Sequence, residues 1–195
     1  MTAVTKDTTV EELAGIVAEQ LRLCGLNAVL SGGALVSLYS ENQYQSNDID
    51  FVTSAGIKEI GLALEAIGFT RTGGRHFSHP ESDILVEFPA GPLMVGNEHV
   101  TKISAIATRY GAISVLSPTD SVKDRLAAFL HWGDPQGWAQ AQMIASRHPV
   151  DLADITRWCA GETNDSTLRR AVTAGLEQAA AQRPHEDSGE TFQPG

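Results

Sequence analysis

Basic residues are scarce in this chain of 195 residues. Lys and Arg number 14 against 24 Asp and Glu, a formal net charge of −10 and a pI near 4.9. A surface so acidic repels nucleic acid and anionic membranes unless a folded basic patch or a bound cation overrides it. The longest basic cluster is the pair Arg169-Arg170. Cysteine is scarcer still. Cys24 and Cys159 offer no C-x-x-C spacing, and both fall in segments that read as helical, where the default is a small buried hydrophobe. No apolar run approaches the length of a bilayer span, and MTAVTKDTTVEEL has neither the basic nor the apolar block of a secretory signal. The expectation is a reduced, cytoplasmic protein with no membrane partner. G-x-G-x-x-G and G-x-x-x-x-G-K-[ST] are also missing, so dinucleotide-binding and P-loop readings lack their key residues.

What is present suits an ordinary globular core: 42% of residues are hydrophobic and 19% charged. Thr9-Val-Glu-Glu12 matches a capping box, and Leu13, Ile16, Val17 and Leu21 follow at helical spacing up to Gly25. A short strand over 27–31 leads through Gly32-Gly33 to a helix over 34–39. Residues 48–53 alternate as a strand, and Ser54 can cap a third helix that Gly68 ends. From Phe69 to Leu116 the period is two, with strands over 76–79, 83–88, 102–108 and 112–116. Ser117-Pro118 then opens a helical half, over 119–131, 135–147, 150–160 and 165–182. The last 13 residues have almost no apolar content and read as disordered. The fold class is therefore α/β of the α+β kind: a small mixed sheet with flanking helices over 1–116, a helical region over 117–182, and a tail over 183–195.

Chemistry concentrates in SGGALVSLYSENQYQSNDIDFV, residues 31–52. Alternate strand residues share a face, so Asp48 and Asp50 point one way and Ile49 and Phe51 the other. Two carboxylates about 4 Å apart repel by roughly 4 kcal/mol at an effective dielectric near 20. Alone, Asp-x-Asp is ordinarily a solvated strand edge. A second acidic strand, Ser82-Asp-Ile-Leu-Val-Glu-Phe88, changes that: if it lies beside the first, Glu87 joins Asp48 and Asp50 in a three-carboxylate site. Hard oxygen donors suit magnesium, and two such ions around a triphosphate form the clamp of phosphoryl transfer. Asp83 is the weaker member, since it begins its strand. Ser31-Gly32-Gly33 lies between strand and helix, where free N–H groups can hold an anion; the alternative is a tight turn needing positive φ. His76, His79 and Asp83 lack a fourth ligand for zinc.

These elements resemble the nucleotidyltransferase fold of the DNA polymerase β type. That family has Gly-Gly or Gly-Ser opening a helix, then an Asp-x-Asp strand, then a third carboxylate on a later strand. Here they are Gly32-Gly33, Asp48-Ile-Asp50 and Glu87. The resemblance runs over roughly residues 25–160 and is closest to minimal nucleotidyltransferases related to the toxin component of AbiE-like toxin–antitoxin systems. In many of these a threonine and an arginine precede Asp-x-Asp; Ser46 stands for the threonine, and Tyr44 where the arginine is expected. Lys123 and Arg125, before an Ala-rich run, are candidates for steering the triphosphate, with solvated helix-face charges as the alternative. Asp151 and Asp154 look like a common acidic pair, or else a helix cap and first-turn charge.

The resemblance implies a two-magnesium enzyme that transfers a nucleoside monophosphate from an NTP to an acceptor hydroxyl and releases pyrophosphate. Asp48, Asp50 and Glu87 would be catalytic and metal-binding, while Ser31, Gly32, Gly33, Ser46, Lys123 and Arg125 would contact the nucleotide. A protein side chain, a tRNA 3′ end or a small molecule would serve as acceptor, and an antitoxin protein as partner. The alternative is a non-catalytic module of the same fold that binds a nucleotide or a partner protein.

Overall fold

A computed structural model describes residues 4–184. Most of the tail expected to be disordered, residues 185–195, lies outside the described residues. The capping box forms as the sequence predicts: Thr9 Oγ1 accepts from the Glu12 amide, and the Glu12 carboxylate accepts from the Thr9 amide. Helix α1 (Val10–Leu23) follows, with Leu13, Val17 and Leu21 buried. Strand β1 (Val29–Ser31) passes directly into α2 (Gly32–Tyr39), which begins at the first glycine and not at Ala34. After β2 (Asp48–Val52) comes α3 (Ile57–Glu65). Its cap is Gly56 and not Ser54, because Glu59 reaches back to the Gly56 amide at 2.8 Å and so defines the first turn there.

The period-two region gives β3 (Thr70–Gly73), β4 (His76–His79), β5 (Ser82–Glu87), β6 (Met94–Val95), β7 (Glu98–His99), β8 (Ile103–Thr108) and β9 (Gly111–Leu116). Thr70-Arg-Thr-Gly73 escapes sequence reading because all four residues are exposed at the sheet edge, which leaves no alternation to detect. Seven strands form one sheet in the order β3-β4-β5-β2-β1-β9-β8. It is mostly antiparallel; only β1–β9 and β2–β5 run parallel. One face presents Leu30, Ile49, Phe51, Val86, Ile113 and Val115, all fully buried. Phe88 stacks on Phe51 and meets Phe77 edge-on at a centroid distance of 5.6 Å.

Ser117 caps α4 (Pro118–Trp132), whose end is turned by Gly133 in the left-handed region. Then come α5 (Pro135–Ala145), α6 (Leu152–Glu162) and α7 (Ser166–Ala181). The core continues across the join: buried residues of α2 pack with those of α4 and α5, and the Trp158 indole of α6 donates to the Val95 carbonyl at 3.1 Å. Cys159 is buried as expected, whereas Cys24 is exposed, because it caps the end of α1 beyond the helix's last buried residue, Leu21. Among the described residues no helix is long and apolar enough to cross a membrane.

Candidate active site

The two acidic strands are neighbours. β2 and β5 pair in parallel with Asp48 opposite Leu85, Ile49 opposite Val86 and Asp50 opposite Glu87. The same rung continues on both sides: Ser31 lies opposite Asp50 on β1, and His76 opposite Glu87 on β4. Residues paired across a sheet share a face, so four adjacent strands present His76, Glu87, Asp50 and Ser31 in a row, with Asp48 two residues along on the same face. Below them the hydrophobic face is closed, which fixes the register: a slip of one residue would send Ile49 and Phe51 to solvent.

Each carboxylate has its own partner. Asp48 Oδ1 accepts from Ser46 Oγ at 2.6 Å, and Ser46 is itself buried, its amide held by Ser37 Oγ. Glu87 Oε1 lies 2.7 Å from His76 Nε2. Asp50 leans over the start of α2: a Cβ on Gly32 would fall 2.0 Å from Asp50 Oδ2, and Gly32 has φ +68°. A side chain at position 32 would thus be strained and would displace the acid. Gly33 is roofed by Ser46 Oγ and the Tyr44 ring, at 2.7 and 3.4 Å from where its Cβ would be. Ser31 is the residue before α2 but its hydroxyl makes no capping bond, so the first-turn amides have no side-chain acceptor from it.

Burial raises the Asp50 carboxyl to about 7, and the charges of Asp48 and Glu87 push it the same way. Arg125 opposes this and Asp124 adds to it. The Arg125 side chain is held by Asp124 Oδ2, at 2.9 Å from Nε and 2.5 Å from an Nη, and reaches Gln140 Oε1 at 3.4 Å. Of the two basic residues proposed for the nucleotide, Arg125 is the one whose charge reaches Asp50. Lys123 is not. Two positions earlier on α4 it faces away, is buried, and bonds Asp154 Oδ2 at 2.5 Å with Asp120 Oδ1 at 3.6 Å. It lines a different cavity, of about 510 Å³, between the starts of α4 and α6 and the β6–β7 hairpin. Successive helical residues advance by 100°, so Lys123 and Arg125 lie about 200° apart and meet different partners.

The acidic pair of α6 also has structural work: Asp151 Oδ1 caps the Asp154 amide at 2.9 Å, and Asp154 holds Lys123 and Arg157. His76 and His79 do not share a site, since His79 packs on Phe69 with its Nδ1 accepting from the Glu81 amide. Asp83 is exposed, four residues from Glu87 along β5. The partnership of His76 with Glu87 was not legible, although one clue was there: His76 alternates with the core residue Phe77 and so faces the acidic side.

The donor set suits a hard divalent cation. Three carboxylates share a face, and two of them raise the proton affinity of the third, a repulsion such an ion relieves. As they stand the side chains are not gathered: among the described residues no group of three or more His, Cys, Asp or Glu is close enough to hold a metal ion. Asp48 turned to Ser46 and Glu87 turned to His76 account for that.

No protein-family model matches the chain, and no curated protein does. Among solved structures it is similar to the crystal structure of an antigenic nucleotidyltransferase-like protein from Paracoccidioides brasiliensis. The two are 13% identical with a TM-score of 0.55, over 93% of this chain and 96% of that one. Identity that low speaks for the fold alone: the carboxylates of this chain stand in a nucleotidyltransferase-like fold.

Proposed function

We propose that the chain is a magnesium-dependent nucleotidyltransferase that moves a nucleoside monophosphate from an NTP to an acceptor hydroxyl. The observation that carries this is the rung pairing Asp50 with Glu87, beside Asp48 and above Gly32. Two magnesium ions held by Asp48, Asp50 and Glu87 would polarise the α-phosphate and offset the charge of the leaving pyrophosphate. Ser31 and the amides of Gly32 and Gly33 hold the β- and γ-phosphates, and Asp50 lies against that turn. Arg125 adds positive charge from α4, while Ser46 orients Asp48. Glu87 helps deprotonate the acceptor hydroxyl. The acceptor oxygen then bonds the α-phosphorus as the bond to the β-phosphate oxygen breaks. The acceptor is a cytoplasmic protein side chain, tRNA 3′ end or small molecule, and a toxin–antitoxin setting is the biological context the sequence resemblance implies.

The test is transfer of label from an α-labelled NTP, with Mg²⁺, to any component of a cell lysate. Wild type is expected to transfer and Asp48→Ala to fall to background; equal labelling by both, or none by either, sinks the proposal. A non-catalytic module is the second reading, favoured by Tyr44 at the arginine position and by the separately partnered carboxylates. Calorimetry separates them: nucleotide binding that needs Mg²⁺ and is lost in Asp50→Asn supports the enzyme, and metal-independent binding supports the module.

A further inference from the structure

We propose that the cavity between the β6–β7 hairpin and the starts of α4 and α6 binds a small polyhydroxylated molecule, a free sugar or cyclic polyol recognised through a vicinal diol. The cavity, of about 510 Å³, has the size of an ordinary small-molecule site. Its walls are held in place by the protein itself. The hairpin does not join the main sheet and is tied to α6 instead. The Trp158 indole donates to the Val95 carbonyl, Arg157 pairs with Glu98, and the buried Glu162 carboxylate accepts from the Asn97 amide at 2.9 Å. Preorganisation of this kind lowers the ordering cost of binding.

Lys123 is the residue that points to a ligand. Its side chain is only 5% exposed. Among the described residues just one acceptor, Asp154 Oδ2, lies within hydrogen-bond distance of its ammonium; Asp120 Oδ1, at 3.6 Å, is too far. An ammonium has three donors, so a buried charge faces the cavity with donors unspent. Acceptors are unspent beside it. Asp120 uses Oδ2 for the Ser117 hydroxyl and Asp151 uses Oδ1 to cap α6, which leaves Asp120 Oδ1 and Asp151 Oδ2 without a hydrogen bond. The rest of the lining narrows the chemistry. Four carboxylates line the cavity against three permanent cations, and an anion set on Lys123 would lie against Asp120 and Asp154 as well. The His99 imidazole is the one ring there to stack a nucleobase, and only Val95 and Val100 are apolar. Neutral hydroxyls meet both needs, since each can accept from Lys123 and donate to a carboxylate, and an adjacent pair does so in concert.

The test is titration of the isotope-labelled full chain, without nucleotide, followed by nuclear magnetic resonance of its amide signals. D-glucose, D-ribose and myo-inositol are the probes; glutamate, inorganic phosphate and adenosine are the contrasts. At least one of the three polyols is expected to bind more tightly than any contrast compound and to shift the amides of Thr101, Thr119 and Lys123. Lys123→Met and Asp120→Asn, each checked by a thermal melt, should weaken that binding about tenfold or more. Asparagine keeps the shape of Asp120 and can still accept from Ser117, so this variant carries the test if Lys123→Met does not fold. If no polyol binds, the cavity holds solvent only and the proposal is wrong. Undiminished binding by folded Asp120→Asn, or shifts confined to other residues, would place the sugar elsewhere and overturn it too. Tighter binding of glutamate or phosphate would make the ligand a charged one, and tighter binding of adenosine would make the cavity part of a nucleotide site; either result refutes a polyol site. Label transfer from NTP is measured separately, so this proposal and the transferase reading fail independently.

Discussion

Asp50 is an acid held where its charge is disfavoured. Its carboxyl ionises near 3.8 in the unfolded chain and near 7 in the fold, first because it is buried and then because Asp48 and Glu87 are close. Between those values the folded state binds more protons than the unfolded one, so stability declines as pH rises from about 4 to about 7 and is flat above. A shift of about three units corresponds to an upper bound of roughly 4 kcal/mol. Asp50→Asn is therefore expected to raise urea resistance at pH 8 and to lose that advantage at pH 4; equal stability at both pH values would refute it. Gly32 supplies a second test at this scale. Gly32→Ala combines a left-handed φ, costing about 1–2 kcal/mol, with a collision on Asp50. Gly25→Ala has φ +72° but nothing within 4 Å, so it isolates the strain. Position 32 should destabilise more in urea unfolding, and only there should nucleotide binding be lost. Among the thiols, burial pushes Cys159 up to about 11 while Cys24 is exposed. A thiol reagent at neutral pH should modify Cys24 alone in the folded protein, as mass spectrometry would read.

At the scale of elements, Lys123 acts as a bolt between α4 and α6. Burial works against the Asp154 charge, but the hydrogen bonds from Lys123 and Arg157 outweigh it and hold the carboxyl below its usual range. Arg157 carries the link on to Glu98 at the β6–β7 hairpin. Asp154 keeps Arg157 when Lys123 is removed, so Lys123→Ala should cost about 2 kcal/mol in denaturant unfolding, the worth of one charged hydrogen bond. Lys123→Met, which fills the space, should cost less. In both, NTP affinity per folded molecule should match wild type; a selective loss of affinity would restore Lys123 to the nucleotide site. The stability from Asp154 is present above its unfolded pKa and fades as pH falls through the depressed folded value.

Among the described residues, the buried cluster joins the central strands, α1–α3 and the four C-terminal helices without a break. A shared core of this kind predicts one cooperative transition. The chain offers a direct check, because Trp132, Trp138 and Trp158 all lie in the helical half. Tryptophan fluorescence should therefore follow that half while far-ultraviolet circular dichroism follows the whole. Coincident urea curves are expected; a separate early fluorescence transition would mean that the helices unfold on their own.

Local chemistry was enough for the helix starts at Thr9 and Ser117, the alternation of Asp48 to Val52, and the separation of acidic from apolar faces. Each depends on a few neighbouring residues, through caps and the two-residue period. Sequence alone also showed Asp48, Asp50 and Glu87 as the acids worth pairing. It did not decide that they pair. That depended on the register of two strands more than thirty residues apart, set by burial of Ile49, Phe51 and Val86 on the opposite face. The same holds for Lys123 and Arg125, similar charges two residues apart that the packing of α4 sends to different sites. His76 gained its place beside Glu87 from an antiparallel pairing that no local pattern records. Which side chains meet is a property of the packed sheet, because contacts between distant segments are chosen by the core they jointly exclude from water.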